Sequence, residues 1–196
     1  DAGSTKPDVV ACARRFLGAH FSRFVPGHPV AGTEKSGAPA AFPELFRGRN
    51  VILTPQKGAV ASAARLVRQA WEACGARVVS LDAQEHDAIL AGVSHLPHIV
   101  AYALVNMLAR RRNAPRLFSL SAGGLRDTVR IAGSSPEMWA DICIANRDAL
   151  LQALEDYENE LEVMRAAIEG ADGAELRRLF AQARNAREKW LVGKQR

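Results

Sequence analysis

The chain has 196 residues, 48% of them apolar, and a formal net charge of +5. This length allows one large domain or two small ones, and the small, scattered basic excess argues against a nucleic-acid-binding protein. The densest basic run, Arg110–Arg112, is better explained as a solvated helix end, where cations are favoured. No apolar run approaches the roughly 20 residues that span a bilayer. No signal-peptide pattern opens the chain either, so we expect a cytoplasmic protein without membrane contact.

The three cysteines, Cys12, Cys74 and Cys143, lie far apart in the sequence. No C-x-x-C pair indicates a metal site or a redox motif. We therefore expect buried free thiols of the kind found in a reducing cytosol.

The first part of the chain alternates helix and strand signals. In chain order, the pattern predicts a helix over 8–17, a strand-like run over 21–25, a strand over 50–54, an amphipathic helix over 60–74 and a strand over 77–81. Gly75 follows the second helix at a position typical of a C-terminal cap. A strand, a helix and a strand at this spacing favour a crossover unit in a mostly parallel sheet.

From about Asp82 onward, helix signals replace strand signals. The pattern predicts an apolar helical stretch over 83–112 interrupted at Pro97, a glycine loop over 121–124, a helix from Pro136 to about Glu169 capped by Ser135, a break over 170–173 and a last amphipathic helix. These helices carry more apolar surface than a lone small bundle buries. A second copy of the chain could cover the surplus, which motivates a homodimer hypothesis.

His28 is the first candidate for chemistry. It follows a Pro-Gly turn and precedes a loop of small residues, Ala31-Gly32-Thr33, that would let a ligand approach the backbone. Histidine accepts a proton near neutral pH with little tuning. A structural role for this histidine remains open from the pattern alone.

The segment Ser94–His98 holds a second histidine pair. His95 and His98 are three residues apart and could share one helix face, which suits either a substrate contact or a metal pair. His86, next to Asp87, is the only candidate for a third ligand. A metal-dependent hydrolase using His86, His95 and His98 is therefore one alternative, and a structural role for these histidines is another.

Two arginines, Arg126 and Arg130, follow the glycine pair with Asp127 between them. The planar guanidinium fork matches a carboxylate, so an arginine here could hold an acidic substrate. A surface Arg–Asp pair explains the spacing equally well.

Four motifs in this order resemble the prephenate/arogenate dehydrogenase family across nearly the whole chain. They are GHPVAGTEKSG, NVILTP, SHLPH and RDTVRIAGSSPEMWADICIANRD, and the opening DAGSTK also fits the family. The resemblance implies an α/β plus all-α fold. Residues 1–84 would be the C-terminal portion of a Rossmann-type nucleotide-binding domain. Residues 85–196 would be an all-helical substrate-binding domain that forms a homodimer through its C-terminal helices.

The resemblance also implies an activity and the residues that carry it. The family oxidatively decarboxylates prephenate to 4-hydroxyphenylpyruvate, or arogenate to tyrosine, with NAD or NADP. His28 would take the proton of the ring hydroxyl, and Ser4 would orient His28 beside the nicotinamide. The implied substrate pocket consists of Arg130 for a carboxylate, His98 and Ser94 in its lining, Thr33 and Glu34 at its mouth, and Trp139 and Asp127 supporting Arg130. The alternative is a non-catalytic dimerisation or ligand-sensing module derived from the family.

The phosphate-binding fingerprint G-x-G-x-x-G is absent from residues 1–196. The resemblance therefore implies a chain truncated at its N-terminus, and the choice between NAD and NADP stays open. Residues 1–196 alone should bind NAD poorly, because the pyrophosphate would meet no helix N-terminus. Calorimetric titration of this polypeptide with NAD tests the expectation, and micromolar affinity would overturn it.

Overall fold

The computed structural model describes residues 1–32, 37 and 41–194, so the predicted site residues Thr33 and Glu34 lie outside the described part. The chain divides into two compact units, Asp1–Leu150 and Leu151–Arg196. The first unit holds strands β1 (Gly27–Pro29), β2 (Asn50–Leu53) and β3 (Arg77–Ser80) and helices α1 (Pro7–Leu17), α2 (Ala61–Ala73), α3 (Ala83–Leu90), α4 (Leu96–Ala109), α5 (Ala114–Ser119), α6 (Gly123–Val129) and α7 (Pro136–Ala145). Helix α8 (Arg147–Glu169) begins in the first unit, and α9 (Gly173–Lys194) belongs to the second.

The three strands form one sheet in the order β1-β2-β3. β2 and β3 are parallel and joined through α2, which confirms the predicted crossover. Gly75 has a φ of +79°, a left-handed conformation that favours glycine after a helix. The buried residues Val25, Val51, Leu53 and Ala76 form the core of the sheet, packed against Trp71 and other apolar side chains of α2.

β1 departs from the predicted pattern. The run 21–25 is not a strand, since a 3₁₀ helix occupies Gly18–Arg23. The strand begins at Gly27 of the Pro26-Gly27 pair, and His28 lies within it, antiparallel to Ile52 of β2. The prediction of a loop at His28 was therefore wrong. Pairing with the β-branched run of β2 extends this segment in a way that its own composition does not indicate.

The expectation of buried thiols was also wrong. Cys12 and Cys74 are exposed, and Cys143 is half-buried. Cys12 and Cys74 lie on or beside the outer faces of α1 and α2 rather than in the core.

The stretch Ala83–Ala109 is helical throughout, but it changes geometry before Pro97. A π-helical segment, Ala91–His95, joins α3 to α4, and Pro97 occupies the first turn of α4, where proline is tolerated. By length and composition alone these 27 residues could cross a membrane, so the prediction that no apolar run is long enough was wrong. Within this stretch, His86, Asp87 and His95 are buried and hydrogen-bonded to other residues of the chain, although only 22% of the apolar window is buried.

Two predicted boundaries in the helical part need correction. The expected loop at Gly123–Gly124 is instead the first turn of α6. The helix expected from Pro136 to Glu169 is broken at Asn146 into α7 and α8. The side chain of Asn146 is buried and donates to the main-chain oxygen of Asp87 at 2.8 Å, which holds this residue out of regular helical geometry. The predicted N-cap at Ser135 is confirmed, because its hydroxyl accepts from the N–H of Met138.

Candidate functional site

A cavity of about 590 Å³ lies in the first unit, beside the start of β1. It brings together six predicted site residues that are distant in sequence: Ser4, His28, Ser94, His98, Arg130 and Trp139. Small residues on the segment after β1, including Ala31 and Gly32, line the same cavity. A concave site with a few convergent polar groups is the default location for ligand binding.

His28 lies on the wall of this cavity with 9% of its surface exposed. Its Nδ1 is 2.8 Å from Nε2 of His86, and Nδ1 of His86 is 2.6 Å from a carboxylate oxygen of Asp87. The three side chains therefore form a continuous hydrogen-bonded series. Among the described residues Ser4 lines the cavity but makes no hydrogen bond to His28, and His86 occupies that place.

The Asp87 end of this series is fixed from two further elements. The main-chain N–H of Lys6 donates to both carboxylate oxygens of Asp87, at 3.0 and 3.3 Å. Asn146 bonds the main-chain oxygen of Asp87 and also contacts Nδ1 of His95 at 3.1 Å. The Lys6 ammonium is itself buried and donates to the main-chain oxygen of Gly27, next to His28.

The helical part of the cavity lining comes from α4 and the π-helical segment before it, α7 and the turn after α6. The ring of His98 stacks on that of Trp139, with centroids 3.5 Å apart and an angle of 20° between the planes. Nδ1 of His98 donates to the main-chain oxygen of Ser94 at 2.9 Å, one helical turn earlier. Arg130 lies in the 3₁₀ turn Arg130–Gly133 and lines the cavity, whereas Asp127 is exposed on α6 and does not line it.

Burial keeps His28 and His95 neutral. Burial, and then electrostatic interaction with His86, Lys6 and His95, lowers the pKa of His28 to about 3. Burial is also the main cause of the low pKa of His95, about 4, and Asp87 opposes this shift. Burial likewise lowers the pKa of Lys6 to about 8. A neutral imidazole is the form that accepts a proton, so the site is prepared for base chemistry.

These depressed pKa values predict acid-sensitive stability. The unfolded chain takes up protons on these histidines near pH ~6.5, whereas folded His28 and His95 stay neutral down to pH about 3 and about 4. The unfolded state thus binds more protons across this window, and each histidine should remove about 1.4 kcal/mol of stability per pH unit below ~6.5. Urea unfolding at a series of pH values measures this slope. His28→Gln should reduce the slope by the contribution of about one proton. An unchanged slope in that variant would contradict the low pKa of His28.

The metal alternative lacks a ligand set in the part of the chain that the structure describes. There, no group of three histidine, cysteine or acidic side chains is placed to hold a metal ion. His86 bonds His28 and Asp87 rather than converging with His95 and His98. From the sequence, His86 and Asp87 have a predicted role only in this metal alternative, and Lys6 and Asn146 have none. In the sequence these four residues lie 22 to 118 positions from His28, and no local pattern signals that hydrogen bonds connect them to its surroundings.

Comparison with known proteins decides the family. Residues 1–80 match the model of the prephenate dehydrogenase nucleotide-binding domain, and residues 82–182 match that of the prephenate dehydrogenase dimerization domain. The chain belongs to the prephenate dehydrogenase family. The predicted fold class, a nucleotide-binding α/β portion followed by a helical dimerisation portion, is confirmed.

Individual members of the prephenate dehydrogenase family are similar along nearly all of the chain. Cyclohexadienyl dehydrogenase of Zymomonas mobilis is 39% identical over 95% of this chain, and prephenate dehydrogenase of Bacillus subtilis is 38% identical over 96%. The chain spans 64% and 51% of the lengths of these two proteins.

Solved structures give the same result. Prephenate dehydrogenase of Aquifex aeolicus, in complex with hydroxyphenyl propionate and NAD+, superposes with a TM-score of 0.88 at 38% identity, covering 96% of this chain and 65% of that one. Synechocystis arogenate dehydrogenase superposes with a TM-score of 0.82 at 30% identity, covering 97% and 68%.

Proposed function

We propose that the full-length protein is a cytoplasmic enzyme that oxidatively decarboxylates prephenate to 4-hydroxyphenylpyruvate, or arogenate to tyrosine, with NAD or NADP. The observation that carries the proposal is the cavity, which joins a buried neutral histidine to an arginine across one pocket. Membership of the family supports it, as do relatives described as prephenate, cyclohexadienyl and arogenate dehydrogenases.

His28 is proposed as the base. The ring hydroxyl of the substrate would donate to His28 and pass its proton there as the C4–H bond breaks and the C4 carbonyl forms. The bond from the ring to its carboxylate then breaks, carbon dioxide leaves, and the bonding electrons restore an aromatic ring whose oxygen takes the proton back from His28. The negative charges of a bound substrate favour protonated His28, so binding raises its pKa toward the range where a base works best.

Arg130 is proposed to hold the side-chain carboxylate of the substrate. Its guanidinium can form two parallel hydrogen bonds to a carboxylate, which fixes orientation as well as position. His98, stacked on Trp139, and Ser94 would line the pocket around the ring. The departing carboxylate needs only weak polar contacts, because a tight ionic grip would oppose its loss as neutral carbon dioxide.

The residues present fit a nicotinamide ring. Ala2 and Ser4 line the same cavity as His28, and their small side chains leave room for a flat ring close to the backbone. A bound NAD or NADP supplies the hydride acceptor of the reaction. Ser4 is proposed to contact this ring.

Turnover by the full-length protein tests the proposal. Prephenate and arogenate are each incubated with NAD and with NADP, and the absorbance of the reduced nicotinamide is followed. At least one of the four combinations should show steady turnover, and the relative rates assign substrate and cofactor. Binding of either substrate without reduction of either cofactor would instead support the ligand-sensing module.

A homodimer through the C-terminal helices is part of the proposal. Helix α4 buries only Ala101 despite its apolar composition, and α8 and α9 expose large apolar side chains such as Ile168 (64%) and Phe180 (57%). Surfaces of this kind are covered in stable proteins by another chain or domain. The dimerization-domain match over residues 82–182 supports the same assignment. A boundary between residues 84 and 85, with the helical domain after it, remains part of the proposal.

Analytical ultracentrifugation at micromolar concentration should therefore give a dimer. Ile168→Glu on α8 should raise the dissociation constant roughly tenfold or more, because it brings a charge into an apolar interface. Glu158→Gln, an exposed polar position on the same helix, is the matched control and should leave the dimer intact. A stable monomer of the unmodified protein would refute the proposal.

A further inference from the structure

The hydrogen-bonded series Asp87–His86–His28 bears on which ring nitrogen of His28 carries a proton. His86 is completely buried, and Asp87 is 3% exposed. Each ring nitrogen of His86 is hydrogen-bonded, one to a carboxylate and one to the other histidine. The direction of these bonds follows from which groups can donate.

A carboxylate only accepts hydrogen bonds, so the 2.6 Å contact to Asp87 places a proton on Nδ1 of His86. With only that proton on its ring, His86 has a lone pair on Nε2, and the proton in its 2.8 Å bond to His28 then belongs to Nδ1 of His28. The proton-free nitrogen of His28 is consequently Nε2. Among the described residues this Nε2 has no hydrogen-bond partner, and His28 lines the cavity.

We propose that His86 and Asp87 are positioning residues that hold His28 in the tautomer protonated at Nδ1, so that Nε2 is the atom that accepts the substrate's hydroxyl proton. The proposal rests on the proposed function for the identity of that hydroxyl. The tautomer itself follows from this chain's own contacts.

The Asp87 carboxylate, which accepts the hydrogen bond at the end of the series, is held in place by contacts from other elements. Its fixed position sets the direction of the hydrogen bonds along the series. Two contacts from the main-chain N–H of Lys6 hold the Asp87 carboxylate, and Asn146 holds its main-chain oxygen. The series therefore begins at a carboxylate fixed by α1 and by the break between α7 and α8. Among the residues that the structure describes, loss of His86 would leave no acceptor for the proton at Nδ1 of His28, and both tautomers of His28 would become accessible.

Two substitutions at His86 separate positioning from general structural support. His86→Leu fills much of the same volume but removes the acceptor. His86→Gln restores it, because the carboxamide must turn its NH₂ toward Asp87 and then presents its oxygen to Nδ1 of His28. The two variants therefore differ in whether the buried side chain at position 86 can accept a hydrogen bond from His28.

The readout is the tautomer of His28, measured by long-range ¹H–¹⁵N NMR on the histidine-labelled full-length protein without substrate. The unmodified protein and His86→Gln should show a protonated Nδ1 and a proton-free Nε2, and His86→Leu should lose this signature. With substrate, His86→Leu should lower kcat roughly 10²–10⁴-fold with little change in KM, and His86→Gln should restore most of the rate.

A proton on Nε2 of His28 in the unmodified protein would overturn the proposal, whether or not the variants fold. An unchanged signature and an unchanged kcat in His86→Leu would also overturn it. The spectroscopic result does not depend on turnover. A tautomer that follows His86 in a protein that turns over neither substrate would uphold the positioning and refute the proposed function.

Discussion

Replacing His28 by Asn should lower kcat roughly 10²–10⁴-fold and leave KM nearly unchanged in the full-length protein. Asparagine keeps a polar group next to His86 and the cavity, so a substrate hydroxyl can still bind. It cannot take up the proton that must leave as the carbonyl forms. The loss therefore falls on the chemical step rather than on binding.

Steady-state kinetics of the purified variant measure this effect. His20→Asn is the matched control, since His20 is an exposed histidine outside the cavity. That control should keep the parameters of the unmodified enzyme. A kcat for His28→Asn equal to that of the control would remove His28 from the mechanism.

The second large effect is expected at Arg130, where substitution by Ala should raise KM roughly 10–100-fold and change kcat less. A charge-assisted hydrogen bond contributes about 1.5–3 kcal/mol, and a carboxylate held before and during the reaction loses that contribution in both states. Arg130→Lys should recover part of the affinity, because lysine supplies the charge without the planar pair of donors.

Arg126 offers a close control for Arg130. It lies one turn earlier on α6, is exposed and does not line the cavity. Arg126→Ala should therefore leave KM within about twofold of the unmodified value, the scale of an exposed charge. Equal increases in KM for both arginine variants would indicate a diffuse electrostatic effect and contradict a specific clamp at Arg130.

Features fixed by local chemistry could be predicted from the sequence. The β2–α2–β3 crossover, the positive φ of Gly75 and the cap of α7 at Ser135 each depend on a few neighbouring residues. The family motifs placed His28, His98 and Arg130 in one site, and the cavity brings these three residues together.

Features fixed by distant contacts could not be predicted. His28 lies in a strand because residues more than 20 positions later pair with it, and α7 ends because Asn146 bonds Asp87, 59 residues earlier. The hydrogen-bonded groups around His28 could not be predicted either, because they are also distant in sequence. Lys6 and Asp87 are 81 residues apart, and a histidine beside an aspartate has no local feature that identifies it as the partner of a base.

The most direct test of the central claim follows the ring carboxylate itself. Substrate labelled with ¹⁴C in that carboxylate is incubated with the full-length protein and the cofactor that supports turnover. Labelled carbon dioxide and reduced nicotinamide should appear in equal amounts, and both should fall together in His28→Asn. Reduced nicotinamide formed without labelled carbon dioxide, or release of carbon dioxide that does not depend on His28, would contradict an oxidative decarboxylation that begins with proton transfer to His28.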